Sequence, residues 1–253
     1  MAGFRIKAEA LTDPGLVRTE NQDSLLVRIG EGPWGYFGLF VVADGMGGAA
    51  GGRQAARMAV QACEDWWNQE LSEAYLVRPE GTQALVCRSL SLRLQRLNRE
   101  VEALGSELQA RTGTTLSALF LTAGGYGLLH VGDGRVYSAA GALRQLTADD
   151  TYVAEQLRRG ALTAAQARSH PMGHVLIRCV GAPGELRLQQ SVGPATDGAF
   201  LLCSDGFYQT LSDEELRLSA LRGRAGLADA VRTIYERGAS DNLTAITVAQ
   251  ERA

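Results

Sequence analysis

The chain has 253 residues, 45% apolar and 21% charged, a balance that fits a folded globular protein and excludes an intrinsically disordered one. Twenty-five Lys and Arg stand against 28 Asp and Glu, a formal net charge of −3, so nucleic-acid or anionic-membrane binding is not the expected role. The longest apolar run, Tyr36 to Ala43, is far short of the roughly 20 residues a membrane helix needs.

The N-terminus carries no apolar signal-peptide core, so a cytoplasmic location is expected by default. Phe4, Ile6, Ala8 and Ala10 alternate with other residues, the period of a strand, and Asp13-Pro14-Gly15 marks a turn. Residues 25–28 and 34–43 read as strands separated by Gly30-Glu31-Gly32-Pro33. Two helical patterns follow. Ala55, Met58, Ala59, Ala62 and Trp66 set the first, over about 53–71. Val86, Leu90, Leu94, Leu97, Val101, Leu104 and Leu108 set the second, over about 83–108. Pro79 and Gly81 lie between them, so an antiparallel helix pair is expected. Short strands return at 115–123, 126–131, 135–139 and 143–146, and their short connections predict antiparallel neighbours. A short helix is expected near 152–159, strands at 186–191 and 199–203, a helix over 213–235 broken near Gly223, and a last strand at 243–250. Strands from both ends and the middle are too dispersed to close separate sheets. One domain over 1–253 is therefore expected, with two stacked antiparallel sheets covered by helix pairs.

The informative feature is where the aspartates fall. Asp44, Asp133 and Asp205 each follow an apolar strand and precede a glycine, and Asp241 stands just before the last strand. An unpaired carboxylate at a strand lip is costly to desolvate, and several at one sheet end repel one another. A divalent cation removes both costs, and an all-oxygen carboxylate set selects Mg²⁺ or Mn²⁺ over zinc. A plain Asp-Gly hairpin explains Asp133-Gly134 equally well, and Asp241 reads equally as a turn or cap residue.

Other patterns carry less. Gly45, Gly47 and Ala50 fit the dinucleotide fingerprint, but Asp44 would crowd a pyrophosphate and the following helix leaves no room for the βαβ unit to close. Arg18 is a candidate phosphate clamp or an ordinary surface arginine. His170 and His174 are four apart, but Pro171 and Gly173 between them argue against a zinc-binding helix. His130 reads as a packed, hydrogen-bonded strand residue. Cys63, Cys87, Cys179 and Cys203 form no C-x-x-C pair and read as reduced, packed thiols. A cysteine-nucleophile phosphatase needs an arginine after five intervening residues. Only Cys87 has one, Arg93, and that stretch lies in a predicted helix without glycine.

With these residues in view, the chain resembles the bacterial branch of the protein phosphatase 2C-like family, metal-dependent Ser/Thr protein phosphatases. The likeness runs in order through GLVRTENQDS (15–24), VVADGMGG (41–48), RTGTTLSALF (111–120), HVGDGRVY (130–137), LTADDT (146–151), HPMGHVLIRCVG (170–181), LLCSDGF (201–207) and SDNLTAITV (240–248). The resemblance implies an α+β fold, a four-layer α-β-β-α sandwich of two stacked sheets flanked by helix pairs, with a two-metal centre at one end. It implies that Asp44 bridges two Mn²⁺ or Mg²⁺ ions, that the Gly45 carbonyl binds one, and that Asp205 and Asp241 complete the other's ligands. Asp133 with Asp205 would form a third-metal site, Arg18 would hold the substrate phosphate, and Asp23 would lie in the outer shell. Residues 150–183 would form a flap beside the cleft. The implied substrates are phosphorylated proteins, including the autophosphorylated form of a Ser/Thr kinase.

Three departures stand out. Gln22 replaces a glutamate common in the family. Met46 stands where eukaryotic members carry a proposed general acid, and Gly134 replaces a serine. The implied reaction is attack of an ionised water on phosphorus, with no phospho-enzyme. The rival readings are a phosphatase of small phosphomonoesters with the same fold and an inactive phosphoprotein-binding module. Retention of Asp44, Asp205 and Asp241 speaks against the inactive module.

Overall fold

A computed structural model describes residues 4–32, 35–47, 51–71, 81–168, 170–194 and 198–252. Pro33, Trp34, Gly48, Ala50 and Pro79, which enter the sequence reading, lie outside the described residues. Eleven strands are described: β1 (Phe4–Asp13), β2 (Asp23–Gly32), β3 (Gly35–Met46), β4 (Gly113–Thr114), β5 (Leu116–Thr122), β6 (Gly125–Val131), β7 (Arg135–Ser138), β8 (Arg144–Gln145), β9 (Gln189–Gly193), β10 (Gly198–Cys203) and β11 (Leu243–Arg252). The helices are α1 (Gly51–Gln69), α2 (Thr82–Glu107), α3 (Tyr152–Arg158), α4 (Ala164–Arg168), α5 (Asp205–Tyr208), α6 (Asp213–Leu221) and α7 (Gly223–Glu236).

Strand parity builds the layers. On β3, Phe40 and Val42 point one way, into a core they share with Leu119, Phe200, Leu202, Ile246 and Val248. Leu39, Val41 and Ala43 point the other way, against Trp66, Leu90 and Leu94 of α1 and α2. On β10, Phe200 and Leu202 face the shared core while Leu201 and Cys203 face Leu216, Leu227 and Ile234 of α6 and α7. Strands buried on both faces read as continuous apolar runs, which is why these segments stand out in the sequence. Three cores therefore separate four layers: α1 with α2, one sheet, the other sheet, and α6 with α7.

The first sheet runs β1-β11-β10-β7-β8 and the second β2-β3-β5-β6-β9, with β4 on β3; every pairing is antiparallel. The α1–α2 pair is antiparallel as expected. Trp66 Nε1 donates to Ser89 Oγ at 3.0 Å near one end, while Gly51 lies against Leu108 at the other. The small Ala55, Ala56, Ala59 and Ala62 are buried on α1 and let that helix lie close to the sheet. The helix break near Gly223 is present, and α6 opens with a capping box in which Ser212 and Glu215 satisfy each other's backbone N–H groups.

Two expectations are corrected. The Asp133-Gly134 connection is not a hairpin, because β6 pairs with β5 and β9 in the second sheet while β7 pairs with β10 and β8 in the first. The chain crosses between sheets there. The strand expected at 186–191 starts only at Gln189, because Gln95 satisfies the backbone of Leu186 on both sides, accepting from its N–H (3.1 Å) and donating to its carbonyl (2.7 Å). That leaves Leu186 buried in the helix-side core without a strand partner.

Antiparallel pairing decides where the aspartates meet. The end of β3 lies beside the start of β2, with Asp23 opposite Asp44. The end of β10 lies beside the starts of β7 and β11, with Cys203 opposite Arg135 and Ala245. The β6–β7 crossing joins the two sheets at that same end.

Candidate active site

Asp44 is fixed through its backbone. Its N–H donates to Thr115 Oγ1 (2.9 Å), and its carbonyl accepts from Thr115 N–H and Thr114 Oγ1, both at 2.9 Å. Gly45 follows, where an added Cβ would lie 2.1 Å from the Gly52 carbonyl oxygen. No other residue allows α1 to begin so close to the strand. Asp205 opens α5 after Ser204, whose hydroxyl donates to Asp23 Oδ2 (2.8 Å) and accepts from Thr244 N–H (3.0 Å). One hydroxyl thus ties β10, β11 and β2 together.

Asn242 organises the loop that carries Arg18. Its Oδ1 accepts from Gln22 N–H (2.9 Å), and its Nδ2 donates to the carbonyls of Pro14 (3.0 Å) and Glu20 (2.9 Å). Arg18, itself exposed, turns its Nη2 onto Asp241 Oδ2 at 2.8 Å. Asp133 is held from two sides. Tyr208 Oη donates to its carbonyl (3.0 Å), and the preceding Gly132 N–H donates to the buried Asp150 (3.2 Å). Arg135 stacks 3.8 Å over the Tyr208 ring and grips Asp149 with two nitrogens.

These elements enclose a cleft of about 520 Å³ whose wall includes Arg18, Asp44, Gly45, Asp133, Asp205 and Asp241. Every cleft residue singled out from the sequence is present. Asp23 lies behind the floor, buried, with one oxygen bonded by Ser204 and the other without a hydrogen-bond partner. Thr115, Glu20, Asn242 and His174 also line the cleft. Sequence reasoning did not assign them to the site, and only their position inside or beside the quoted segments hinted at it. His130 is packed as expected, between Ser117 Oγ (2.9 Å) and the Gly132 carbonyl (3.1 Å). Cys63, Cys87 and Cys203 are buried as expected, Cys179 is only half-buried, and none of the four forms a disulfide among the described residues. Cys87 and Arg93 both sit on α2, and Arg93 pairs with Asp65.

The electrostatics are those of too many carboxylates for the available cations. Burial, followed by Asp23, Asp205 and Asp133, pushes Asp44 well above the usual carboxylate range. Burial and then Asp205 push Asp133 up to about 7. Burial dominates at Asp23, which rises to about 6, and burial with Asp241 raises Asp205. As the side chains stand, no three His, Cys, Asp or Glu among the described residues form a ready-made coordination shell. Arg18 holds Asp241, and Gln209 holds Asp205 through a 2.7 Å bond. An ion held by Asp205 and Asp241 would have to displace these two hydrogen bonds. The all-oxygen donor set, its surplus negative charge and the orphaned Asp23 oxygen fit hard divalent cations.

A family profile described as Protein phosphatase 2C matches residues 17–246. The chain belongs to the protein phosphatase 2C family. It is 32% identical over 253 residues to the serine/threonine phosphatase stp of Listeria monocytogenes serotype 4b (strain F2365), covering 96% of each protein. Its fold is similar to that of the S. agalactiae serine/threonine phosphatase, with a TM-score of 0.84, 26% identity and coverage of 97% of this chain and 99% of the other. It is also similar to the catalytic domain of the serine/threonine protein phosphatase PstP solved with two manganese ions, with a TM-score of 0.75, 27% identity and coverage of 98% and 99%. The four-layer sandwich is thus the fold of this protein phosphatase 2C relative. No helix among the described residues is long and apolar enough to cross a membrane.

Proposed function

We propose that the chain hydrolyses phosphoserine and phosphothreonine in proteins, using two manganese or magnesium ions held at the cleft, and that 1–253 forms one catalytic unit. The observation that carries this reading is the gathering of Asp44, Asp133, Asp205 and Asp241, from four separate stretches of chain, into one cleft with Arg18. The phosphatase names of its relatives and the manganese-bound neighbour support it.

Asp44 would be shared by both ions, the Gly45 carbonyl would serve one, and Asp205 and Asp241 the other. Asp133 and Asp205 would offer a third site. The ions supply positive charge against phosphoryl oxygens and acidify a water molecule. The residues of the chain do the rest. Asp44, pinned through its backbone, sets the geometry. Arg18, released from Asp241, presents paired N–H donors to the phosphate and stays charged at any working pH. Asp23, buried beside Asp44, would accept hydrogen bonds from water held at the ions. Residues 150–183 would act as a flap whose His174 and Leu176 already reach the cleft wall. An autophosphorylated Ser/Thr kinase is a fitting substrate.

Phosphate release from a phosphothreonine peptide tests the reading. It should require Mn²⁺ or Mg²⁺, stop with EDTA, and fall by at least roughly a thousandfold in Asp44→Asn and Asp205→Asn, on the scale of losing a main electrostatic stabiliser. Metal-independent turnover, or full activity in either variant, would refute it.

A further inference from the structure

Beside the cleft lies a second cavity of about 620 Å³ that the chemistry above does not use. Met46, Gly47 and Leu176 belong to the walls of both. The second cavity runs between the C-terminal turn of α2 and the segment around Gly181–Pro183. Its own lining is small and largely uncharged, with Gly105, Ala110, Gly113, Cys179, Ala182 and Pro183. Two charged side chains also line it, Glu102 and Arg111, and they take part in no ion pair among the described residues.

The walls are built in place. Asn98 on α2 donates to the carbonyls of Ala182 and Gly184, both at 3.0 Å, and accepts from Gly181 N–H at 2.7 Å. Val180 exchanges two backbone hydrogen bonds with Thr114. Ala110 N–H closes the helix end onto the Gly105 carbonyl at 3.1 Å. Such a groove binds without first paying to order its own walls.

We infer that this groove takes the residues next to the phosphorylated one in a protein substrate, and favours an uncharged aliphatic side chain there. The inference rests on the phosphatase reading above. A phosphoresidue seated in the cleft continues into polypeptide on both sides, and an extended chain advances only about 3.3 Å per residue. A neighbouring residue therefore meets a cavity that shares a wall with the cleft. Met46, Leu176 and Pro183 supply apolar contact, and the glycine- and alanine-lined sides leave room for an aliphatic group.

The test compares two phosphothreonine peptides, one flanked by valines and one by glycines, by kcat/KM with Mn²⁺ and by fluorescence anisotropy. The wild-type protein should favour the valine peptide roughly tenfold, the scale of one aliphatic group finding a pocket. Ser106→Trp, an exposed position on the groove wall, should bring the ratio near one. Ala182→Leu fills the same groove more gently, should the larger variant misfold, and should also lower the ratio. Glu100→Trp, exposed elsewhere on α2, should keep it. A wild-type ratio near one, or a ratio unchanged in both groove variants, overturns the groove while the glycine peptide is still hydrolysed. Failure of the wild type to release phosphate from either peptide or from phenyl phosphate overturns the phosphatase reading and the groove's occupant with it.

Discussion

At the scale of the residue, the site is a set of carboxylates kept where water alone would not keep them. Burial comes first among the causes that raise Asp23, Asp44, Asp133 and Asp205, and neighbouring carboxylates add to it. The consequence for stability has a definite sign. An unfolded aspartate titrates at about 3.9, whereas Asp23 and Asp133 are pushed to about 6 and about 7. Between those values the folded protein holds protons that the unfolded chain has released, so these groups stabilise less as pH climbs through that window. A divalent cation binds the deprotonated form and offsets the loss. The gain in Tm on adding Mn²⁺ to EDTA-treated protein should therefore be larger at about pH 8 than at about pH 5, where protons compete for the same oxygens. Asp133→Asn should lessen the fall in metal-free Tm over that range. Thermal unfolding in the two buffers reads both effects, and an equal gain at both pH values would contradict them.

At the scale of the element, alternation and helical spacing made most of the architecture legible. The β3 and β10 runs, the α1 and α2 stripes and the break at Gly223 all lie close to where the residue pattern places them. The Asp133-Gly134 crossing was not legible. An Asp-Gly pair between two short strands carries the same local signal whether the second strand turns back or joins another sheet. What decides it is the partner of β7, which is β10, more than sixty residues later. Likewise, nothing local distinguishes Gln95, whose amide replaces a strand partner for Leu186.

The segment 150–183 offers an element-scale prediction. Asp150 is fully buried, accepts from Gly132 N–H, and pairs with Arg178 at 2.5 Å. It thereby fastens the start of the segment to its end and to the crossing that carries Asp133. Asp150→Ala leaves that N–H and the guanidinium without their partner. The expected loss is about 2–3 kcal/mol, below the about 3–5 of a fully buried pair because a third of Arg178 stays in water. Urea unfolding should show that loss, and limited trypsin digestion should cut faster within 150–183. Wild-type stability and cleavage in the variant would show that the pair does not fasten the segment.

At the scale of the whole molecule, the site exists because two antiparallel sheets present particular strand ends at one edge of the sandwich. Of the cleft carboxylates, Asp44 and Asp205 were the more legible, since each follows an apolar strand and leads away from a hairpin, whereas Asp133 and Asp241 read equally well as hairpin, turn or cap residues. Their supports were not legible. Ser204 bridging Asp23 and β11, Asn242 lashing the Arg18 loop, and Tyr208 beneath Asp133 are ordinary polar residues until the strands are stacked. Arg18 and Asp241, 223 positions apart, meet only because β1 and β11 are neighbours and Asn242 holds the loop after β1. The most direct measurement is anomalous diffraction from crystals soaked in manganese. It should reveal ions ligated by Asp44, Asp205 and Asp241, with Arg18 turned away from Asp241. Manganese bound elsewhere, or those three carboxylates turned apart with no ion among them, would contradict the metal centre on which the account stands.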